Sequence, residues 1–87
     1  MVKAQIIKTD GSKEDIEFIK KDSLSVMQTA VGGLIEVVGL PAHEKGKLML
    51  VNEEGVIEGL PHNRLASIMA GQPISGDAVV MNIKDFD

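Results

Sequence analysis

Alternation of apolar and polar residues near the start of the chain predicts a β-hairpin. The segments VKAQIIK and EDIEFIKK flank the sequence TDGS. In the second segment, Ile16 and Phe18 alternate with charged residues, as in a strand with one buried face. Asp10 and Gly11 supply a turn in which glycine adopts a positive φ at little cost. We therefore expect two antiparallel strands at the N-terminus.

Two later segments carry apolar residues at the spacing of a helix. In the segment DSLSVMQTAVGG they recur at intervals of three and four, at Leu24, Met27, Ala30 and Val31. Asp22 or Ser23 is the expected N-cap of this helix, and Gly32 falls where a left-handed C-terminal cap is favoured. In the segment PHNRLASIMAGQP, Asn63 is the expected N-cap and Gly71 ends the helix.

Four further apolar segments are predicted to be strands. LIEVVGL forms one, and KLMLVNEEGVIEGLP reads as strand, turn and strand, with Gly55 in the turn. The last strand, Ala78 to Ile83, is apolar enough to be central in the sheet. The order β-β-α-β-β-β-α-β predicts an α+β fold, in which a single small antiparallel or mixed sheet packs with two short helices. We expect one compact domain over residues 1–87.

Composition narrows the functional classes. The 87 residues include no Cys, Trp or Tyr and only two Phe. Disulfides, thiol catalysis and cysteine-based metal sites are therefore excluded, and so is base stacking on aromatic platforms. No apolar stretch reaches the length of a membrane-spanning helix, and the N-terminus lacks the pattern of a signal peptide. We expect a cytoplasmic protein with no membrane partner.

Acidic charge is concentrated in the C-terminal half. The formal net charge is −4, and residues 1–50 balance seven basic against seven acidic side chains, whereas residues 51–87 carry two basic and six acidic ones. Binding to a nucleic acid duplex requires basic side chains that neutralise phosphates, so we expect none. Docking on a basic protein surface is compatible with this charge, and the candidate residues for it are Glu53, Glu54, Glu58 and Asp77. The alternative is that these acidic side chains only keep the protein soluble and bind no partner.

The adjacent glycines 32 and 33 raise the question of a phosphate-binding loop. Such loops run from a strand into a helix, so that amides at the helix N-terminus point at the anion. Here the glycines follow a helix and precede a strand, which favours a C-terminal cap. Gly33 remains a candidate ligand-binding residue because it would allow close approach of a ligand. Glu36 is a second candidate, because it interrupts an apolar strand and must face solvent, be paired or line a pocket.

A further candidate site lies at the start of the second predicted helix. Asn63 and Arg64 would place a guanidinium group beside free helix amides, an arrangement that can hold a phosphate or a carboxylate. The alternative is a cap followed by a surface residue. His43 and His62 have no partner at metal-ligand spacing, and no nucleophile–base pair stands out. We therefore expect no catalytic residue, no metal and no cofactor.

Four motifs occur together in an order that points to a family. VGGLIEVV, VNEEG, LPHNRLAS and ISGDAVV resemble the pattern of an uncharacterised domain family found in phages, plasmids and Gram-positive bacteria. The positions that fit this pattern are Gly32, Gly33, Glu36, Asn52, Glu53, Gly55, Pro61, Asn63 and Gly76. The resemblance carries no established reaction. It implies a small stand-alone protein that a mobile element encodes and that acts inside a bacterial host.

Two functions follow as hypotheses. The first is a non-enzymatic binding protein that antagonises host defence by capturing a nucleotide-like small molecule. In it, Arg64 and the amides near Asn63 hold a phosphate, while Gly33 and Glu36 shape the pocket of a homo-oligomer. The alternative is an acidic module that docks on a basic host protein. Binding driven by many charges weakens with salt more than the capture of one phosphate does, which distinguishes the two hypotheses.

Overall fold

Within the residues that the computed structural model describes, 1–40 and 46–86, five strands form one antiparallel sheet. The strands are β1 (Val2–Ile7), β2 (Lys13–Phe18), β3 (Ile35–Gly39), β4 (Lys47–Asn52) and β5 (Ala78–Asn82). Their order across the sheet is β2-β1-β5-β4-β3, and every neighbouring pair is antiparallel. The α+β class is therefore confirmed, and so is the central position of the last strand.

Three helices lie within the described residues. They are α1 (Ser23–Val31), which follows a 3-10 turn at Lys20–Asp22, α2 (Arg64–Ala70) and the short α3 (Ile83–Phe86), which the sequence did not predict. In this part of the chain, no helix has both the length and the apolar character that crossing a membrane requires. Residues 41–45, which include His43, lie outside the described residues.

Residues 53–59 form consecutive turns, so the predicted turn at Gly55 is present but continues through residues 56–59, where a strand was expected. Their amides bond locally, as in the bonds from the Glu58 amide to the Glu54 carbonyl at 2.8 Å and from the Gly59 amide to the Val56 carbonyl at 3.1 Å. Both neighbouring positions of β4 are already occupied, by β3 and β5. The segment therefore satisfies its backbone groups within a compact loop, which we call the acidic loop.

Both faces of the central strands are buried, which explains why β4 and β5 are apolar almost throughout. Successive side chains of a strand point to opposite faces of the sheet. The face covered by α1 buries Val2, Ala4, Phe18, Met27, Val31, Leu48, Leu50, Val79 and Met81. The face covered by α2 buries Ile7, Val38, Met49, Val51, Ala66, Ile74, Ala78 and Val80. Helices α1 and α2 thus cover opposite faces of one sheet.

The Gly32–Gly33 pair ends α1, as the cap interpretation predicted. Gly32 has a φ of 80°, and its amide donates to the Gln28 carbonyl at 2.9 Å. This is a left-handed helix cap, for which glycine is favoured. At Gly33, a Cβ atom would lie only 2.9 Å from the Asn52 side-chain nitrogen. Gly33 therefore leaves room for a neighbouring side chain of the same protein.

Local polar contacts stabilise the predicted turn between β1 and β2. Gly11 has a φ of 90°, and the Asp10 carboxylate accepts hydrogen bonds from the Ser12 hydroxyl at 2.6 Å and the Ser12 amide at 2.8 Å. The hydroxyl bond and then the amide bond lower the pKa of Asp10. The stabilisation is therefore present at neutral pH and is lost as the pH falls through that lowered pKa. Beside the turn, the Glu14 carboxylate lies 2.9 Å from the Lys8 ammonium and raises the pKa of that lysine.

Candidate functional site

A groove of about 270 Å³ lies beside β3, on the face of the sheet that α2 covers. Its lining includes the core side chains Val38, Val51 and Ile74, together with residues 53–57 of the acidic loop and residues 72–75. Because β3 is the last strand on this side of the sheet, the groove opens next to a sheet edge. The core thus contributes an apolar floor, and two irregular segments contribute the walls.

Carboxylates dominate the charge of this groove. Glu36, Glu53 and Glu54 line it and are exposed, and no lysine or arginine is among its described lining residues. Glu58, also exposed, follows on the same loop. Among the described residues, no group of three or more His, Asp or Glu side chains is arranged to hold a metal ion. The groove therefore presents a negative potential to any partner.

Two exposed aliphatic side chains line the groove together with these carboxylates. Val56 is 78% exposed and Ile57 is 82% exposed, and both line the groove. Neighbouring exposed aliphatic residues are a feature of surfaces that bind other proteins. At such interfaces an apolar centre is buried on binding, while a charged rim stays partly solvated. The groove has this composition, which sequence reasoning missed because Val56 and Ile57 were assigned to a strand.

The buried side chain of Asn52 fixes the acidic loop to the rest of the fold. Its amide nitrogen donates to the Val31 carbonyl at 3.1 Å and to the Glu58 carboxylate at 3.2 Å. Its oxygen accepts the Glu54 amide at 2.7 Å, which forms an Asx turn. Three bonds therefore join the end of α1, the end of β4 and the loop. An asparagine that follows an apolar strand and precedes Glu-Glu-Gly is the sequence signal for such a turn.

Gly55 allows the acidic loop to approach the opposite wall of the groove. A Cβ atom at this position would lie 2.8 Å from the Ser75 carbonyl oxygen. Since that oxygen belongs to the backbone, a larger residue would have to displace one of the two segments. The carbonyl of Gly55 accepts the Leu60 amide at 2.9 Å and so closes the loop.

Asn63 caps α2 as predicted, but its side chain has no group free for a ligand. Its oxygen accepts the Ala66 amide at 3.0 Å. Its nitrogen donates to the Ile7 carbonyl at 2.8 Å and to the Gly76 carbonyl at 2.9 Å. The residue is fully buried. Asn63 therefore connects α2 with β1 and with the segment before β5.

The four predicted ligand-binding residues do not form one site. Glu36 lines the groove, whereas Gly33, Asn63 and Arg64 are not among the residues that line it. Arg64 is exposed and begins α2, a helix of seven residues. Gly33 packs against Asn52, as described above. Glu36 is thus the one predicted ligand-binding residue that lies in the groove.

Of the four acidic residues predicted to bind a protein, three share the acidic loop and Asp77 lies elsewhere. Glu53, Glu54 and Glu58 are exposed and lie within a span of six residues in the chain. Asp77 is partly buried, and its carboxylate accepts the Thr9 amide at 3.0 Å. It therefore ties the turn between β1 and β2 to the start of β5. Glu36 instead lines the groove with two of the three loop carboxylates, Glu53 and Glu54.

Comparison with known proteins identifies a family without assigning an activity. No curated protein and no solved structure matches the chain. The sequence model of one family matches residues 2–87, and its description is "Domain of unknown function (DUF3846)". The resemblance to an uncharacterised family of small domains is therefore confirmed at that level. The chain belongs to the DUF3846 family of domains of unknown function.

Proposed function

We propose that this protein is a docking module that binds a basic segment of another protein in the groove beside β3. The observation that carries this proposal is that Glu36, Glu53 and Glu54 line the same groove as the exposed side chains of Val56 and Ile57. Carboxylates attract and orient a basic partner, and the aliphatic pair provides apolar surface that binding buries. From the resemblance of its motifs to a family of phages and plasmids, we further propose that the partner is a protein of a bacterial host.

Capture of a nucleotide has less support at this groove. A phosphate placed there would lie near Glu36, Glu53 and Glu54, and like charges at short range repel strongly where water is partly excluded. The hydrogen-bonding groups of the Asn63 side chain are already used within the protein. A basic ligand is therefore the better electrostatic match. Self-association of the chain remains a prediction, and native mass spectrometry tests it by measuring the mass of the assembly.

Reversing two charges of the acidic loop is expected to weaken binding of a cationic probe about tenfold. The probe is a fluorescein-labelled octapeptide that alternates lysine and valine. The variant combines Glu53→Lys with Glu54→Lys, which replaces two attractive contacts by repulsive ones. Fluorescence anisotropy reports the affinity at about 20 mM and about 150 mM salt, and the wild-type affinity should fall as screening increases.

The matched control changes net charge equally at the other edge of the sheet. Asp15→Lys combined with Glu17→Lys alters two exposed residues of β2. At about 150 mM salt, where the Debye length is about 8 Å, we expect this variant to bind the octapeptide within about twofold of the wild type, since distant exposed charges are largely screened. Equal losses in both double variants would reduce the effect to net charge and contradict the proposed site. An acidic-loop variant that bound the octapeptide with wild-type affinity would also contradict the proposed site.

A further inference from the structure

Among the described residues, no strand pairs with the outer edge of β3, and this edge lies directly beside the groove. β3 is the outermost strand on this side, and the Glu53 amide donates to the Leu34 carbonyl at 2.8 Å. In an antiparallel pair, the residues whose backbone groups point at the neighbouring strand alternate with residues whose groups point away. Counting from Leu34, the amides and carbonyls of Ile35, Val37 and Gly39 therefore point outward, away from β4.

The two edges of the sheet differ in how they are protected. Four of the six residues of β2 are charged, namely Lys13, Glu14, Asp15 and Glu17. In β3 the single charged residue is Glu36, and Val37 is 49% exposed. Proteins commonly discourage pairing at a sheet edge with charged side chains, proline or bulges. The β2 edge has such protection, whereas the β3 edge is suited to pairing.

We propose that the partner segment binds as an added strand along β3, with its basic side chains on the face of Glu36. This inference rests on the proposed function, because it takes a basic partner for the groove as given. Side chains of an added strand alternate between the two faces of the sheet. One set would lie beside Glu36 and the acidic loop, and the other beside Ile35 and Val37. The partner segment should therefore alternate basic and aliphatic residues.

Charge favours this partner over a second copy of the chain. Antiparallel pairing of two β3 strands centred on Val37 would place Glu36 of one copy opposite Val38 of the other. Both Glu36 side chains would then lie on one face as diagonal neighbours, with the acidic loops close by. Diagonal neighbours lie within reach of long side chains such as glutamate, and two like charges at that separation repel. A basic strand would neutralise the same carboxylates, so it is the favoured occupant.

Substitution of one β3 residue tests the edge without removing a carboxylate. Val37→Pro eliminates an outward amide and leaves the bonds between β3 and β4 in place, since proline is tolerated where the amide faces solvent. Val37→Thr is the control, because it keeps the amide and the branched shape. We expect the affinity for the lysine–valine octapeptide to fall about tenfold in the proline variant and to stay within about twofold in the threonine variant.

Hydrogen exchange measured by NMR locates the contact independently of any variant. In the wild-type protein, the octapeptide should slow exchange of the Ile35, Val37 and Gly39 amides. The Glu36 and Val38 amides should change little, because they already point at β4. This alternating pattern is specific to an added strand, since a ligand that only filled the groove would not produce it.

These experiments can overturn the added strand along β3 without overturning the docking function of the groove. A peptide that requires Glu53 and Glu54 but protects none of the three outward amides overturns the added strand and leaves the docking function standing. Equal affinity of Val37→Pro and the wild type for the octapeptide likewise overturns the added strand and leaves the docking function standing. Protection that appears without peptide and grows with protein concentration assigns the edge to a second copy and overturns the proposal. A peptide that binds regardless of Glu53 and Glu54 overturns the docking function itself.

Discussion

Replacing Asn63 by alanine is expected to lower the free energy of unfolding by about 3 kcal/mol. The change removes a helix cap, a loss of about 1 kcal/mol, and leaves buried backbone groups without partners at about 1–3 kcal/mol each. The carbonyls of Ile7 and Gly76 are the groups affected, together with the Ala66 amide. Guanidinium denaturation followed by far-UV circular dichroism measures the effect, because the chain has no Trp or Tyr.

Two further variants separate the cap from the buried bonds. Aspartate caps helices as well as asparagine does, but it cannot donate to the carbonyls of Ile7 and Gly76. We therefore expect Asn63→Asp to destabilise the protein at least as much as alanine does, because it also buries a charge. Asp22 precedes α1 without a side-chain bond to the helix, so Asp22→Ala should change stability by less than about 0.5 kcal/mol. Wild-type stability of Asn63→Asp would contradict the buried network.

Asn52→Ala is expected to cost about 2 kcal/mol and to loosen the acidic loop. The variant loses the bonds to the Val31 carbonyl, the Glu58 carboxylate and the Glu54 amide. Because two of these bonds hold the acidic loop, its amides should exchange faster with solvent even where the sheet remains folded. Guanidinium denaturation measures the change in the free energy of unfolding. Hydrogen exchange at the Glu54 amide measures how far the acidic loop has loosened.

Asn82→Ala is the matched control for Asn52. Asn82 also ends a strand, but its side chain makes a single bond within the described residues, a long contact of 3.5 Å to the Asp85 carboxylate. We expect its removal to change stability by less than about 0.5 kcal/mol. If the two alanine variants were equally stable, or if the Glu54 amide exchanged at the same rate in both, Asn52 would not be the residue that holds the loop.

Local sequence signals predicted the structure correctly where the conformational preference of a single residue determines the backbone conformation. The Asp10–Gly11 turn and the glycine caps at Gly32 and Gly71 follow from the ability of glycine to adopt a positive φ, and all three occur as predicted. The apolar character of residues 78–83 predicted a central strand because burial on both faces excludes polar side chains, and the strand forms but ends at Asn82, one residue earlier. These features depend on neighbours in sequence or on burial alone.

Features that depend on distant neighbours could not be predicted. The alternating segment VIEGL resembles a strand, but β4 already has a neighbour on each side, so the segment folds into turns. The buried bonds of Asn63 reach Ile7, which is 56 residues away in sequence. Glu36 joins the acidic loop through the antiparallel pairing of β3 with β4. The sequence left open whether Glu36 faces solvent or a pocket, and in the fold it is exposed while lining the groove.

An NMR titration of the isotope-labelled wild-type protein tests most directly whether the groove takes a basic partner. The lysine–valine octapeptide and adenosine monophosphate are added to separate samples at low salt. We predict that the peptide shifts the amide signals of Glu36 and residues 53–57, and that the nucleotide leaves them unchanged. The contradicting result is a nucleotide that shifts the signals of Asn63 and Arg64 while the peptide shifts none, which would favour capture of a phosphorylated small molecule instead.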